Sequence, residues 1–323
     1  MTRPSDPIED IAQIARKIRE YQTSQGLTDT DMCREFPQLG STKTYAKIYR
    51  GDYSGLDIEE TWLPEYRAAL ALIETIQAAG EAAADEYDDL VNPTRARAAV
   101  GRAMAERGNN RLVIIEGPPG IGKTTAARLL ATRAGRKAVM VMADEFWSSP
   151  AAMLPTLARA LGIHEPPANP AECKARIVES LKRTPRCIII DDAHHLGPRT
   201  LNVIKALINE TKCQVVLAAV DTLWRKLQLR AYEEARQLLN RLQERVRFEP
   251  PRPSDIALVA ERRGVRWVDE DTKRRCIAAI ASRAKDSTHW NYVCRVITML
   301  ARKEEPVTDR DYAAVDAKLD AML

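Results

Sequence analysis

The run Gly117-Pro118-Pro119-Gly120-Ile121-Gly122-Lys123-Thr124 spaces its residues as G-x-x-x-x-G-K-T. That spacing suits a polyphosphate. The glycines let backbone N–H groups curl around phosphate oxygens with no Cβ in the way. Lys123 supplies a point charge to the β- and γ-phosphates, and the hydroxyl of Thr124 can ligate Mg²⁺. Thr125 follows inside the same turn and completes the expected nucleotide-binding set, Gly117 to Thr125. The spacing predicts ATP with Mg²⁺ as the ligand.

A second run, Cys187-Ile188-Ile189-Ile190-Asp191-Asp192, ends four apolar or thiol-bearing positions in two acids. A buried strand carrying carboxylates at its carboxyl tip fits this pattern. Asp191 would hold Mg²⁺, directly or through water. Asp192 would orient or deprotonate the attacking water.

The elements that must position these groups are legible around them. Arg111 to Glu116 reads as a strand entering the loop, and Lys123 to Ala134 as the helix leaving it. That helix aims the positive end of its dipole at the anion. Further strands are expected at Ala138–Ala143, Cys187–Asp191 and Gln214–Ala219. Helices are expected near Ala151–Leu161, Ala171–Arg183 and Arg199–Glu210. Apolar strands without alternation, separated by helices, imply a parallel sheet covered on both faces.

Before this core, residues 1–76 read as a small helical domain. Ile8, Ile11, Ile14, Ala15 and Ile18 share one helical face, and Gly26 ends that helix. Thr28 and Ser41 are N-cap candidates for helices at Asp29–Phe36 and Thr42–Tyr49, joined by a turn at Pro37 to Gly40. Two short helices across a tight turn resemble a helix-turn-helix. Trp62 to Ile76 is a further helix. Residues 77–89 are rich in Ala, Glu and Asp and Asn92-Pro93 breaks the pattern; a linker over 77–93, helical in part, is expected there. The core runs over 94–250. Residues 251–323 read as helices only, Ser254–Arg263, Asp269–Lys285, Thr288–Arg302 and Asp309–Ala321. Ser254 and Thr308 are N-cap candidates there, and Thr308 with Asp311 makes a near capping box.

The 323 residues are 45% hydrophobic and 29% charged, with a net charge of +4. That balance permits a nucleic-acid partner without arguing for one. None of the six cysteines forms a CxxC pair, so buried reduced thiols are expected. No apolar run approaches the roughly 18 residues that span a bilayer, and a cytoplasmic protein without a membrane partner is expected.

Gly117-Pro-Pro-Gly-Ile-Gly-Lys-Thr-Thr-Ala-Ala-Arg128 and Ile188-Ile-Ile-Asp-Asp-Ala-His-His-Leu-Gly197 resemble the AAA+ ATPases. The Asp-Ala-His-His-Leu-Gly stretch and the domain order resemble the transposition-regulator group of Mu B-like, TnsC-like and IstB-like proteins. The resemblance implies an α/β fold, with a P-loop AAA+ parallel sheet, an N-terminal all-α helix-turn-helix domain and a C-terminal helical lid. It also implies ATP held between subunits and an arginine finger from the helix before the lid. Arg241 is the first choice for that finger and Arg245 the second.

Three departures accompany the resemblance. Asp192 stands where Glu is usual, one methylene shorter. Val220 stands where a polar sensor is expected, leaving Asp221 or Thr222 to serve, or nothing. Trp290, within Ser287-Thr-His-Trp-Asn291, falls about where the lid would offer an Arg; it suits lid core or an adenine-stacking surface. Together they imply slow turnover, stimulated by assembly, DNA or a partner.

Residues 41–50 carry three basic and no acidic side chains. Lys43, Lys47 and Arg50 lie at i, i+4, i+7 spacing, able to meet phosphates with Thr44 or Tyr45 near base edges. Residues 1–60 as a whole carry eight basic and eleven acidic side chains, a net of −3, which weakens that reading. In the core, Lys137, Phe146, Trp147, Ser148, Ser149, Arg183 and Arg186 are the candidates for DNA contact. The resemblance implies assembly on double-stranded DNA as a filament or ring, delivery of that DNA to a transposase, and disassembly on ATP hydrolysis. Two other classes remain open: an ATPase adaptor acting on protein, and a nucleotide-gated transcription regulator.

Overall fold

The computed structural model describes residues 6–25, 27–163, 165–229, 233–286 and 289–321; Gly26, Ser287 and Thr288 lie outside the described residues. At its centre five parallel strands lie in the order β2-β3-β4-β1-β5. They are β1 Leu112–Glu116, β2 Ala138–Met142, β3 Cys187–Asp191, β4 Val215–Ala219 and β5 Leu242–Arg247. Side chains alternate across β1, so Leu112 and Ile114 face one core, Val113 and Ile115 the other. Burial on both faces explains why the strand reads as a continuous apolar run.

The N-terminal helices are α1 Pro7–Gln25, α2 Asp29–Glu35, α3 Thr42–Tyr49 and α4 Leu63–Tyr87. Thr28 caps α2 with a reciprocal capping box to Asp31, and Ser41 caps α3 through the Thr44 amide. Their core gathers Ile11, Ala15 and Ile18 with Met32, Phe36, Tyr45 and Tyr66. Ile8, expected on the same face, is exposed.

Much of the expected linker at 77–93 is helix. The chain stays helical through Tyr87, since its alanines and glutamates favour helix. A new helix, α5 Val91–Ala105, starts at Val91 with Pro93 in its first turn. A missing N–H costs nothing at that position, so Asn92-Pro93 opens a helix where a break was expected. Asn92 is buried, donates to the Glu249 carbonyl at 2.8 Å and accepts from the Glu249 amide at 3.0 Å.

The core helices are α6 Lys123–Ala134, α7 Pro150–Ala160, α8 Pro170–Arg183, α9 Pro198–Thr211, α10 Thr222–Gln228 and α11 Glu233–Arg236. The expected helix before the lid is there only in part: Glu233–Arg236 and Gln237–Arg241 are helical, and Leu242–Arg247 is the strand β5. Its sequence, Leu-Gln-Glu-Arg-Val-Arg, is polar because it lies at the sheet edge, where only one neighbour and part of one face must be apolar.

Beyond it come α12 Pro253–Arg262, α13 Glu270–Asp286, α14 Trp290–Ala301 and α15 Asp309–Asp320, which share their own apolar cluster. Thr308 and Asp311 form a full capping box. Ser254 is not a cap: α12 starts one residue earlier, at Pro253, whose fixed φ suits a first helical position.

Candidate nucleotide site

Glu116 ends β1, and the loop that follows turns directly into α6. The Gly117 amide donates to Ala219 O at 3.3 Å, tying the loop to β4. A Cβ on Gly117 would meet Ile121 Cγ2 at 2.9 Å and Phe248 Cβ at 3.2 Å, so only glycine passes there. Gly120 and Gly122 have φ of +75° and +96°, the left-handed region that favours glycine. Ile121 is buried and anchors the loop in the core beneath it.

Lys123 is buried, and its Nζ donates to the carbonyls of Gly117 and Pro118 at 2.9 and 2.8 Å. Burial pushes its pKa below the usual lysine range, while the charges of Asp191 and Asp192 pull it back up. Asp191 ends β3 and Asp192 follows it, so both charges stand near enough to act on Lys123. Thr124 and Thr125 are half-buried at the start of α6.

Asp191 is 0% exposed. Its Oδ1 accepts the Asp192 amide at 3.0 Å, and its Oδ2 is buried with no hydrogen-bond partner. An orphaned, buried carboxylate oxygen on a residue whose charge acts on Lys123 fits a hard cation or one of its waters. Thr124 and Asp191 are therefore the residues that would hold Mg²⁺. Asp192 adopts φ +50°, which Asp tolerates better than most residues.

Asp191→Asn keeps the shape of the strand end and removes the charge. Turnover should fall by about 10²–10³-fold, the usual cost of losing one electrostatic stabiliser. Steady-state phosphate release checks this; less than about a tenfold loss would remove Asp191 from metal binding.

Two histidines missed as site residues stand close by. His194 Nδ1 lies 3.9 Å from Asp192 Oδ1, and its ring packs 4.2 Å from that of His195. Burial, then His195, holds its pKa below the ordinary histidine value. His289 is buried just before α14, and burial lowers its pKa too. Both Nδ1 atoms are buried without a hydrogen-bond partner, and the Lys123 charge acts on both rings. The signal for His194 was its place two residues after the acids. Nothing local marks His289.

The lid rests on the loop. The Trp290 amide donates to Gly120 O at 3.0 Å, and a Cβ on Gly122 would stand 3.4 Å from Trp290 Cδ1. Trp290 is buried, edge-on to Tyr87 at 6.5 Å between ring centres. It is lid core that also braces the loop. Of the two sensor candidates, Asp221 pairs with Arg225, and Thr222 is exposed at the start of α10.

The two arginines are separated. Arg245 is not on a helix before the lid; it sits in β5 opposite Ile114. Its Nε and Nη2 donate to the two Glu116 oxygens at 2.6 and 2.7 Å, and its guanidinium lies 3.9 Å over the Trp224 ring. A bidentate pair with a buried carboxylate of its own subunit leaves it no reach to a neighbour. Arg241 precedes β5 and Leu242 pairs with Leu112, so Arg241 lies at the sheet edge away from its own loop. Its Nε donates to Asn209 Oδ1 at 2.7 Å.

Of the DNA candidates, Lys43 and Lys47 on α3 and Arg50 at its C-cap are exposed, opposite the buried Tyr45 and Ile48. Lys47 reaches the Ser54 carbonyl at 3.1 Å. Thr44 Oγ1 bonds Ser41 Oγ at 2.9 Å. Tyr45 is core, with its hydroxyl on Gln22 at 2.7 Å, and cannot touch bases. Trp147 is likewise buried, whereas Phe146 is 69% exposed. Lys137 is exposed just before β2.

Residues 106–227 match the AAA domain family. The chain is similar to the ATP-dependent target DNA activator B of Escherichia phages D108 and Mu, 24% identical over 204 residues to each. The matches cover 62% of this chain and 64% of each relative, under two thirds of their length. The Mu-like prophage FluMu DNA transposition protein B of Haemophilus influenzae is 25% identical over 166 residues, 51% of this chain and 58% of that one. Among solved structures, the ORC2 protein of Aeropyrum pernix superposes with a TM-score of 0.50 at 15% identity, covering 71% of this chain and 66% of that one. At that identity it speaks for the fold alone. With the five-stranded sheet and the loop after β1, these likenesses give an AAA domain over residues 106–227 and a chain similar to the Mu B-like transposition proteins.

Proposed function

We propose that this chain binds ATP and Mg²⁺, assembles on duplex DNA and delivers that DNA as a target to a transposase. ATP hydrolysis drives disassembly. The observation that carries the reading is the division of the catalytic parts. The loop, Asp191 and Asp192 gather at the carboxyl edge of the sheet, while Arg241 lies at the opposite edge. A head-to-tail neighbour can bring its Arg241 to the γ-phosphate, so hydrolysis waits on assembly. The names of the relatives support the target-DNA step.

Within this reading Asp192 positions the attacking water, and the helix pair α2–α3 meets DNA through Lys43, Thr44, Lys47 and Arg50. Lys137 and Phe146 are the core surfaces offered to the duplex. The net charge of −3 over residues 1–60 favours a second reading, in which the N-terminal helices dock protein and the chain is an ATPase adaptor.

Electron microscopy with a non-hydrolysable ATP analogue, with and without duplex DNA, tests the assembly. Filaments or rings should form with both ligands and disperse when ATP is hydrolysed. Monomers under every condition would overturn the proposal. Assembly without any DNA retention at low salt would favour the adaptor.

A further inference from the structure

A cleft of about 680 Å³ opens between α1 and the starting ends of β2 and β3, away from the nucleotide loop. Four arginines line it: Arg16 and Arg19 from α1, Arg136 from the turn before β2, and Arg186 immediately before β3. Two glutamates, Glu9 and Glu20, share the lining, so positive charge is in excess.

The four arginines differ in their partners. Arg19 bonds Asp29 at 2.6 Å and stacks 4.2 Å over the Tyr49 ring, so its charge is already met. Arg136 lies 3.4 Å from Glu20, a well-exposed pair worth little. Arg16 and Arg186 pair with no carboxylate among the described residues. Arg186 is also half-buried. The register Ala138↔Cys187 sets the two strand starts side by side, bringing Arg186 level with Arg136-Lys137. Burial, and then the Arg136 charge, lower the Arg186 pKa. A half-buried guanidinium beside a second one is unfavourable unless an anion joins them.

We propose that this cleft is a phosphate-binding site, with Arg16 and Arg186 as its principal contacts. Guanidinium forks match phosphate oxygens in pairs. A phosphodiester of bound DNA and a free polyphosphate share this chemistry. The first is favoured because positive charge continues past the cleft, through Lys137 on one side and Arg50 after Tyr49 on the other. That source rests on the DNA reading above; the free-phosphate source does not.

The test uses the full chain, its nucleotide loop first saturated with ADP and Mg²⁺ or a non-hydrolysable ATP analogue. Labelled duplex binding is followed against salt, and thermal unfolding against inorganic tripolyphosphate. Arg16→Glu with Arg186→Glu should weaken duplex binding about tenfold or more and flatten the plot of log K against log salt by roughly two. Arg274→Glu with Arg310→Glu makes the same change of net charge on the lid and should do neither. Arg16→Gln with Arg186→Gln, which adds no carboxylate to the cleft, should move binding in the same direction by less. Loss of the tripolyphosphate shift with duplex binding intact would assign the site to a free phosphate. No change in either assay would overturn the proposal. If the unaltered chain retains no duplex at all, the DNA reading fails, and the tripolyphosphate shift alone decides the cleft.

Discussion

Replacing Glu116 by alanine should destabilise the fold by about 3–5 kcal/mol, the usual cost of stranding one partner of a buried ion pair. Glu116 is 3% exposed at the end of β1, and both of its oxygens accept from Arg245. Arg247 adds a looser contact at 3.7 Å. Without the carboxylate, the Arg245 guanidinium is left over the Trp224 ring, mostly buried and without its counter-ion. Urea unfolding at 25 °C followed by far-UV circular dichroism reads the loss as a shift of midpoint at constant slope.

Replacing both partners, Glu116→Leu with Arg245→Met, should recover most of the stability, because two apolar groups leave no charge stranded. A loss below about 1 kcal/mol for Glu116→Ala would mean that the pair behaves as an exposed one. The same measurement separates the two arginines. Arg245→Ala should destabilise the isolated subunit, which a residue acting only on a neighbour would not do.

The second large effect concerns Arg241. Arg241→Ala should lower turnover by assembled protein about 10³-fold, near the lower end of what an arginine acting in trans contributes to phosphoryl transfer. That is about 4 kcal/mol of transition-state stabilisation. Nucleotide affinity should hardly change, since Arg241 lies at the sheet edge away from its own loop.

Complementation makes the test specific. Lys123→Ala subunits should also be inactive alone. Mixed with Arg241→Ala subunits, they form some interfaces that join an intact loop to an intact arginine, and activity should return there. Single-turnover hydrolysis on the mixture measures it. No recovery, with both variants still assembling, would place the stimulating group elsewhere.

Much of the nucleotide site was legible because its chemistry is local. Helix α6 runs from Lys123 to Ala134 as the sequence predicts, and β3 ends at Asp191. Glycines at fixed offsets, a lysine and a threonine act through backbone within one turn of chain. An apolar run ending in acids can be a buried strand whatever surrounds it. The caps at Thr28, Ser41 and Thr308 were readable for the same reason.

What escaped depends on pairing between distant segments. Leu242 to Arg247 carries too little apolar character to declare itself a strand; β1 makes it one. That pairing turned Arg245 from a candidate finger into the counter-ion of Glu116, 129 residues away in the chain. Helix formation through Tyr87 set that ring against Trp290, which no local pattern could foresee. The Asn92-Pro93 start of α5 was read as a break because proline terminates a helix interior yet fits a first turn.

The sequence by itself pointed to a strand–loop–helix able to cradle a polyphosphate and to acids at the tip of another strand. Only the tertiary structure decided which arginine is spent within the subunit, how the lid meets Gly120, and where Arg16 and Arg186 come together. The physical reason is range. Backbone geometry and capping act over a few residues, whereas charge pairing and burial act between groups that only folding brings within reach.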